Sequence, residues 1–351
     1  MPTRSKLPLL LSALVLAVLL ALPAAASATL AYVHNPFSPA VFVANDDGSG
    51  ARKVDSGSNP NVSPDGTMVA YLHEEAKHSQ ELKLAPAAGG PARTLMANWR
   101  ETFYLAWSPD SKTIAALRGP ELGKRKLVTI DVVTGAQRVV AQGFFGGFSF
   151  SPDGLQLVYA KSGSEDFPLR SDVFRTEVPP PGVVNVQAPQ TYRLTRDHRS
   201  SNPLWGPNEK IVFVKTVDAK KRRFGPKNEL YLMNPQGKGV KRLTRTKVGP
   251  LLLGLFPTDW SANGQRLLAE FEGQDTSYAV AVNPKTGAQR PVSKSGEQGF
   301  VGTALSADGN LVLGYTNGFE PGLDHDVVAI PYGGGKPTVL AKNAFLPDWS
   351  R

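Results

Sequence analysis

The stretch FSFSPDGLQLVYA (Phe148–Ala160) decides how the rest of the chain is read, because nearly the same phrase returns four more times. It recurs as NVSPDGTMVAYL (61–72), AWSPDSKTIAAL (106–117), DWSANGQRLLAEF (259–271) and ALSADGNLVLGY (304–315). The turn at its centre starts at Ser63, Ser108, Ser151, Gly206, Ser261 and Ser306, and a partial copy, PDWSR, closes the chain with Ser350. The intervals are 45, 43, 55, 55, 45 and 44 residues. That period suits a propeller blade of four short strands and is too long for a leucine-rich repeat.

Each unit reads alike. A short segment ending in Trp-Ser or its equivalent (strand a) meets a Ser-Pro-Asp-Gly turn. There Pro presets φ at the second position and Gly tolerates positive φ. An alternating branched or aromatic strand follows (b, as in QLVYA or KIVFV), then a variable loop and a strand such as ELYLMN (c). A Gly turn and a strand such as KRLT (d) complete the unit. The b-c-d sets begin near Leu30, Met68, Ile114, Gln156, Ile211, Arg266 and Leu311, and the last a segment is FLPDWS at the C-terminus. The chain thus starts on b and ends on a. The expectation is an all-β, seven-bladed β-propeller of four-stranded antiparallel blades. Its C-terminal strand joins the N-terminal blade and removes the exposed sheet edge. Six blades remain the fallback if one unit is degenerate.

The repeated Asp65, Asp110, Asp153 and Asp308, with Asn208 and Asn263 in the matching places, read as turn-formers that bond their own backbone amides. Six separated copies cannot converge on one ligand. Trp107, Trp205, Trp260 and Trp349 read as packing between blades, since Val62, Phe150 and Leu305 fill the same slot without a polar tip.

The phrases WSPDSKTIAAL, FSPDGLQLVYA and ELYLMNPQGKGVKRLT resemble the TolB-like β-propeller family, built on the WD40-like propeller repeat. The resemblance spans residues 29–351. It implies a propeller fold, and it leaves function open because that repeat serves scaffolds, peptidase gating domains and polysaccharide enzymes. The chain departs from the best-known member in two ways: no separate α/β domain precedes the repeats, and seven units are counted where that member has six blades. The α/β-hydrolase domain of prolyl-oligopeptidase-like enzymes is also missing.

Residues 1–28 stand outside the repeat. Arg4 and Lys6 precede the apolar LPLLLSALVLAVLLALP, and Ala26-Ser27-Ala28 supplies an A-x-A site, so this segment reads as a cleaved secretory signal. The alternative is an uncleaved anchor helix, for which the run up to Pro23 is short. The mature chain is then secreted, periplasmic or envelope-associated, with no stable membrane span. Its 351-residue precursor contains no Cys, so the fold rests on its core without disulfides or a cysteine-linked lipid. The net charge is +9, and losing Arg4 and Lys6 leaves +7. For a secreted chain this points to anionic envelope polymers or lipid surfaces rather than nucleic acid, or to solubility alone.

Catalytic constellations are missing from the sequence. There is no G-x-S-x-G elbow and no H-E-x-x-H, and HEEAKH sets His73 and His78 five apart. NDDGSG (45–50) lacks the later acidic ligands of a calcium loop and reads as a hairpin turn. No cofactor is expected. A metal site would require His198, His325 and either His73 or His34 to converge.

If strands a to d alternate in direction, the b–c and d–a connections share one face, where variable loops carry function. Two tracts there stand out. Lys215, Lys220, Lys221, Arg222, Arg223 and Lys227, with Lys124, Arg125 and Lys126, form a candidate site for an anionic polymer or carboxylate, against the reading of a solvated loop. Leu251, Leu252, Leu253, Leu255 and Phe256 form a candidate partner surface, against burial. Trp99, Arg100, Phe103, Phe144, Phe145, His198 and His325 are candidates to line a central pocket. The expected function is a monomeric, non-catalytic scaffold for a protein or envelope-polymer partner. The alternative is a metal-assisted polysaccharide lyase or hydrolase.

Overall fold

The computed structural model describes residues 29–350 apart from 77–78, 100–103, 120–122, 165–169, 180–188, 218–226, 250–251, 274–275, 294–298 and 318–323, with backbone alone at 75–76, 79 and 98–99. Described strands build antiparallel meanders. The first holds β1 (Thr29–His34), β2 (Ala40–Asn45) and β3 (Arg52–Ser56); the second holds β4 (Ser58–Val62), β5 (Met68–Ala76), β6 (Ser79–Pro86) and β7 (Arg93–Trp99). A seven-stranded sheet runs from β8 (Leu105–Trp107), β9 (Thr113–Arg118) and β10 (Arg125–Asp131) through β11 (Gln137–Phe150) to β12 (Gln156–Ser162), β13 (Asp172–Glu177) and β14 (Thr191–Arg193). An eight-stranded sheet holds β15 (Ser200–Gly206), β16 (Lys210–Val217), β17 (Lys227–Met233) and β18 (Lys241–Arg242). It continues with β19 (Leu252–Trp260), β20 (Leu267–Gly273), β21 (Ser277–Val282) and β22 (Gln289–Pro291). The last meander is β23 (Val301–Leu305), β24 (Leu311–Tyr315), β25 (Val327–Pro331) and β26 (Thr338–Ala341), after which β27 (Ala344–Trp349) returns to pair with β1.

The larger sheets divide at definable points. β11 pairs with β10 through its first half and with β12 through its second, so one strand passes from d into the next a. β17 and β19 meet through a single parallel bridge, Asn228 to Gly254. Gly254 has φ +111, and a Cβ there would sit 2.4 Å from the Asn228 carbonyl oxygen, so only glycine fits.

The core lies between successive meanders. Strand b residues alternate between two buried faces: Val69 and Tyr71 pack on β1 and β2, while Ala70 and Leu72 pack on β9 and β10. Burial on both faces explains why b and c strands are nearly continuous apolar runs.

The a–b turns are built by side chains. Ser63, Ser108, Ser151 and Ser306 donate their hydroxyls to Asp65, Asp110, Asp153 and Asp308 (2.5–2.6 Å), and Ser261 bonds Asn263 at 2.9 Å. The same carboxylates accept amides two residues on, from Thr67, Lys112, Leu155 and Asn310. These aspartates are therefore turn structure. The tryptophans link neighbours: Trp107 Nε1–H donates to the Asn61 carbonyl (3.0 Å), Trp260 to Leu204 (3.4 Å) and Trp349 to Leu305 (2.9 Å). In the other direction Asp348 accepts the Val62 amide, Ser149 that of Trp205 and Asp259 that of Leu305, each at 2.8 Å.

The terminal pairing matches expectation. Leu30 faces Trp349, Val33 faces Phe345, and Thr29 N–H donates to Ser350 Oγ at 2.9 Å across 321 positions of sequence.

Candidate functional site

Antiparallel order puts the b–c connections and d–a passages at one edge of the strands and the tight turns at the other. The first edge, the loop face, carries a charge asymmetry. Residues 105–249 hold 24 Lys and Arg against 12 Asp and Glu, whereas the remaining residues after 28 hold 13 against 18.

On the loop face of β12 to β18 the described carboxylates Asp172, Asp197 and Glu229 are consumed internally. In Arg193-Leu194-Thr195 the leucine is buried, so alternation turns Arg193 and Thr195 together over the head of β13. There the buried Asp172 takes Arg193 Nη2 (2.6 Å), Thr195 Oγ1 (3.0 Å), the His198 amide (3.1 Å) and His198 Nδ1 (3.0 Å). Arg242-Leu243-Thr244 repeats the arrangement over β17. Glu229, fully buried, takes Arg242 Nη2 (2.9 Å), Lys227 Nζ (2.8 Å), Thr244 Oγ1 (2.6 Å) and the Thr246 amide (2.9 Å). Asp197 pairs with Lys215 at 2.7 Å. Hydrogen bonds and the Lys215 charge hold Asp197 below the usual carboxylate range, although burial opposes them as the largest single influence.

Lys124, Lys126, Arg196, Arg199 and Arg245 are exposed on this face, and none has an ion pair among the described residues. Lys126 also stands opposite Arg118 in the β9–β10 register, setting like charges side by side. At the turn edge the same meanders alternate the signs, with Asp110, Asp131, Asp153, Glu177 and Glu209 set among lysines and arginines. The net positive field therefore belongs to the loop face.

A second feature is a cleft of ≈ 200 Å³ where inner strands meet, lined by Asn59 and Asn61 of β4, Leu105 of β8, Thr303 of β23, and Leu346 and Asp348 of β27. Asn59 and Leu346 hold φ +50 and +49. Left-handed backbone suits Asn and costs Leu more, so the inner-strand bend at Leu346 is imposed by its neighbours.

The sequence candidates divide. Lys124 and Lys126 are exposed and Arg125, at the start of β10, is half-buried. Lys220, Lys221, Arg222, Arg223, Arg100, Phe103 and Leu251 lie outside the described residues, and Trp99 ends β7 opposite Gln80. The apolar tract is corrected in part: Leu252, Leu253, Leu255 and Phe256 belong to strand β19 rather than to a loop, and of these Leu253 remains exposed. Leu255 is 0% exposed, and Leu252 and Phe256 pack on the core cluster of Val212, Leu230 and Phe271. Phe145 is likewise core, against Leu117, Leu127 and Tyr159, while Phe144 is half-buried. Of the residues expected to line a central pocket, none of the described ones lines the cleft between inner strands.

The described histidines do not converge. His198 stays with Asp172; His325 Nδ1 meets the Thr316 carbonyl (2.9 Å) between Tyr315 and Phe345; His73 meets the Ser56 carbonyl (2.8 Å); His34 lies tilted against Phe42. Among the described residues no group of three His, Cys, Asp or Glu side chains could hold a metal. Sequence reasoning missed Asp172, Glu229 and the buried Glu270 of β20. The only early sign was an acid heading strand c, followed later by Arg-Leu-Thr.

Glu270 is 9% exposed and accepts the Ser277 hydroxyl. Burial pushes its carboxyl up to about 8; the Ser277 hydroxyl and the Gly302 amide oppose this, and Glu272 reinforces it. Burial likewise raises Tyr315, to about 12, with Glu270 contributing.

No protein-family model matches this chain, and no curated protein matches it. It is similar in structure to TolB from Acinetobacter baumannii (16% identity, 92% of this chain and 82% of that one, TM-score 0.54). It is also similar to the β-propeller domain of the trilobed protease from Pyrococcus furiosus (14% identity, 89% and 92%, TM-score 0.62), described as having an open velcro topology. A third likeness is to an oligogalacturonate lyase in complex with manganese (14% identity, 90% and 85%, TM-score 0.59). At such identities the likeness establishes a β-propeller fold, TolB-like among others, and nothing about chemistry.

Proposed function

We propose that this chain is a secreted or periplasmic, non-catalytic scaffold whose loop face binds an anionic envelope polymer. In this reading residues 1–28 are a cleaved signal peptide and residues 29–351 are a propeller of seven four-stranded blades. The repeat spacing and the four-strand meanders, with β11 shared between two of them, support that count.

One observation carries the functional reading. On the loop face of residues 105–249 the described carboxylates Asp172, Asp197 and Glu229 are tied to internal cations, which leaves Lys124, Lys126, Arg196, Arg199 and Arg245 exposed. A field of one sign over a rigid scaffold recruits a polyanion and weakens with salt. Likeness to a manganese-bound lyase does not favour catalysis here, because the described histidines occupy separate networks.

The test is stepwise salt elution of the mature chain from an immobilised acidic polysaccharide. Lys124→Glu with Lys126→Glu and Arg245→Glu should elute at much lower salt. Lys238→Glu with Lys241→Glu, on the turn edge, should elute close to the unmodified chain. Equal shifts for both variants would sink the proposal, and retention of a protein at fixed stoichiometry from envelope extract would redirect it.

A further inference from the structure

A second cleft, of ≈ 420 Å³, opens at the turn edge between the β19–β22 and β23–β26 meanders, and one of its residues, Gln289, accepts the Thr246 hydroxyl at 2.8 Å. Gln265, Arg266, Asn283, Gln289, Arg290 and Tyr332 line it. Its polar lining is cationic and amide-rich, and among the described residues no carboxylate pairs with either arginine.

Arg290 has precedents in the fold. Arg52 Nη2 donates to the Pro86 and Ala87 carbonyls, and Arg93 Nη2 to the Val132 carbonyl. Each arginine at the start of a d strand thereby clasps the c–d turn of the next meander. Arg290 does the same to Tyr332 O (2.8 Å) and Gly333 O. Arg266 is the addition peculiar to this junction. The corresponding first residue after the turn is Met68, Thr113, Gln156, Ile211 or Leu311 elsewhere.

Arg266 is held in place before any ligand arrives. Its Nη1 donates to the Gly309 carbonyl (2.5 Å) and Asn310 Oδ1 (2.6 Å), and its guanidinium lies over the Tyr332 ring at 5.2 Å. Tyr332 is itself fixed, its hydroxyl lying between the carbonyls of Val282 (2.9 Å) and Leu267 (3.1 Å). Asp308 bonds Ser306 and Asn310 instead of pairing with Arg266. The Nε–H and Nη2 protons of Arg266, and the Nε–H and one proton on each Nη of Arg290, have no partner among the described residues. The Ser306 hydroxyl and the Asn310 amide, with the nearby Arg266 charge, hold the Asp308 carboxyl low, but it makes no ion pair with Arg266. Two pre-positioned forks with spare donors match an oxyanion that can take several N–H donors at once.

We infer that this cleft is a binding site for a phosphate group, held between the Arg266 and Arg290 guanidiniums with the Asn283 and Gln289 amides at its edge. A doubly charged oxyanion balances both arginines, which a single carboxylate does not. The group can belong to a small molecule or to a phosphate-bearing polymer.

The test is calorimetric titration of the mature chain with inorganic phosphate, against chloride at matched ionic strength, repeated with a polyphosphate chain. Saturable phosphate binding is expected, weakened about tenfold or more in Arg266→Gln and not rescued by Arg266→Lys. Ala288→Glu adds an acid at the exposed cleft wall and removes no hydrogen bond or ion pair of a side chain, so it should abolish binding even if the arginine variant fails to fold. Lys124→Glu with Lys126→Glu should leave phosphate binding unchanged, which separates this site from the loop face. Polyphosphate that competes with phosphate, and is sensitive to Ala288→Glu, supports a polymer-borne group; binding of inorganic phosphate alone supports a small molecule. Binding untouched by both cleft variants, or lost only with Lys124 and Lys126, would overturn the inference.

Discussion

Glu229 and Glu270 are both buried glutamates in b or c strands near the loop face, and their surroundings differ in one respect. Glu229 lies between Lys227 and Arg242 and takes the Thr244 hydroxyl and the Thr246 amide. Glu270 has Ser277 and a second acid, Glu272, and no cation pairs with it among the described residues. The first carboxylate organises its surroundings as a charge. The second is easier to bury as a neutral acid, because the Ser277 hydroxyl and the Gly302 amide offset only part of the hydration it loses and no cation adds to them among the described residues. A propeller of repeated meanders thus treats one residue type in two ways: Glu229, on strand c, has strand d and its Arg242 beside it, whereas Glu270, on strand b, pairs only with strands a and c.

The largest effect expected from this contrast is at Glu229. Glu229→Ala should cost about 3–5 kcal/mol in urea unfolding, since it strands two cations at a buried position. A loss under about 1 kcal/mol would mean that Lys227 and Arg242 swing out to water, and the contrast with Glu270 would collapse.

Glu270 should show itself in pH dependence. Its folded pKa of about 8 exceeds the ordinary 4.5, so between these values the folded state binds more protons than the unfolded chain. Stability is therefore full below about pH 4.5 and falls as pH rises to about 8, by about 2–3 kcal/mol for a group that water still partly reaches. Glu270→Gln cannot ionise and should flatten this slope, making the variant more stable than the unmodified chain at pH 8. Parallel pH profiles for the two proteins would show that Glu270 does not control the slope.

The smallest effect applies the same contrast to indoles. Trp349 Nε1–H has the Leu305 carbonyl, whereas Trp205 Nε1 is buried without a partner among the described residues. Both Trp→Phe changes lose packing, but Trp349→Phe should cost about 1 kcal/mol more than Trp205→Phe. Equal costs would remove the hydrogen bond from the account of how neighbouring meanders are joined.

The a–b turns and the terminal closure were legible in the sequence because their determinants are local. Ser63 and Asp65 are two residues apart, and a chain beginning on b and ending on a has an obvious partner for its last strand. Strand β19 was misread because Pro250 and Pro257 flank an apolar run in the manner of a loop. Its placement depends on a close approach to Asn228, 26 positions upstream, that only Gly254 permits. The carboxylate clasps were invisible for a related reason: Asp172 and Arg193 are 21 residues apart and Glu229 and Arg242 are 13, so no motif of fixed length contains both. Arg266 and Asn310 are 44 apart, which hid the second cleft as well.

The β1–β27 seam also sets how the molecule answers force. Leu30 faces Trp349 and the amide of Thr29 meets the hydroxyl of Ser350, so the start of β1 and the end of β27 lie at the same corner of an antiparallel pair. Tension between them is carried by one hydrogen-bonded pair at a time, starting at Trp349 and moving toward Ala344. A motor that grips the C-terminus therefore peels the seam at low load, and each later strand follows only after the one before it has lost its neighbour.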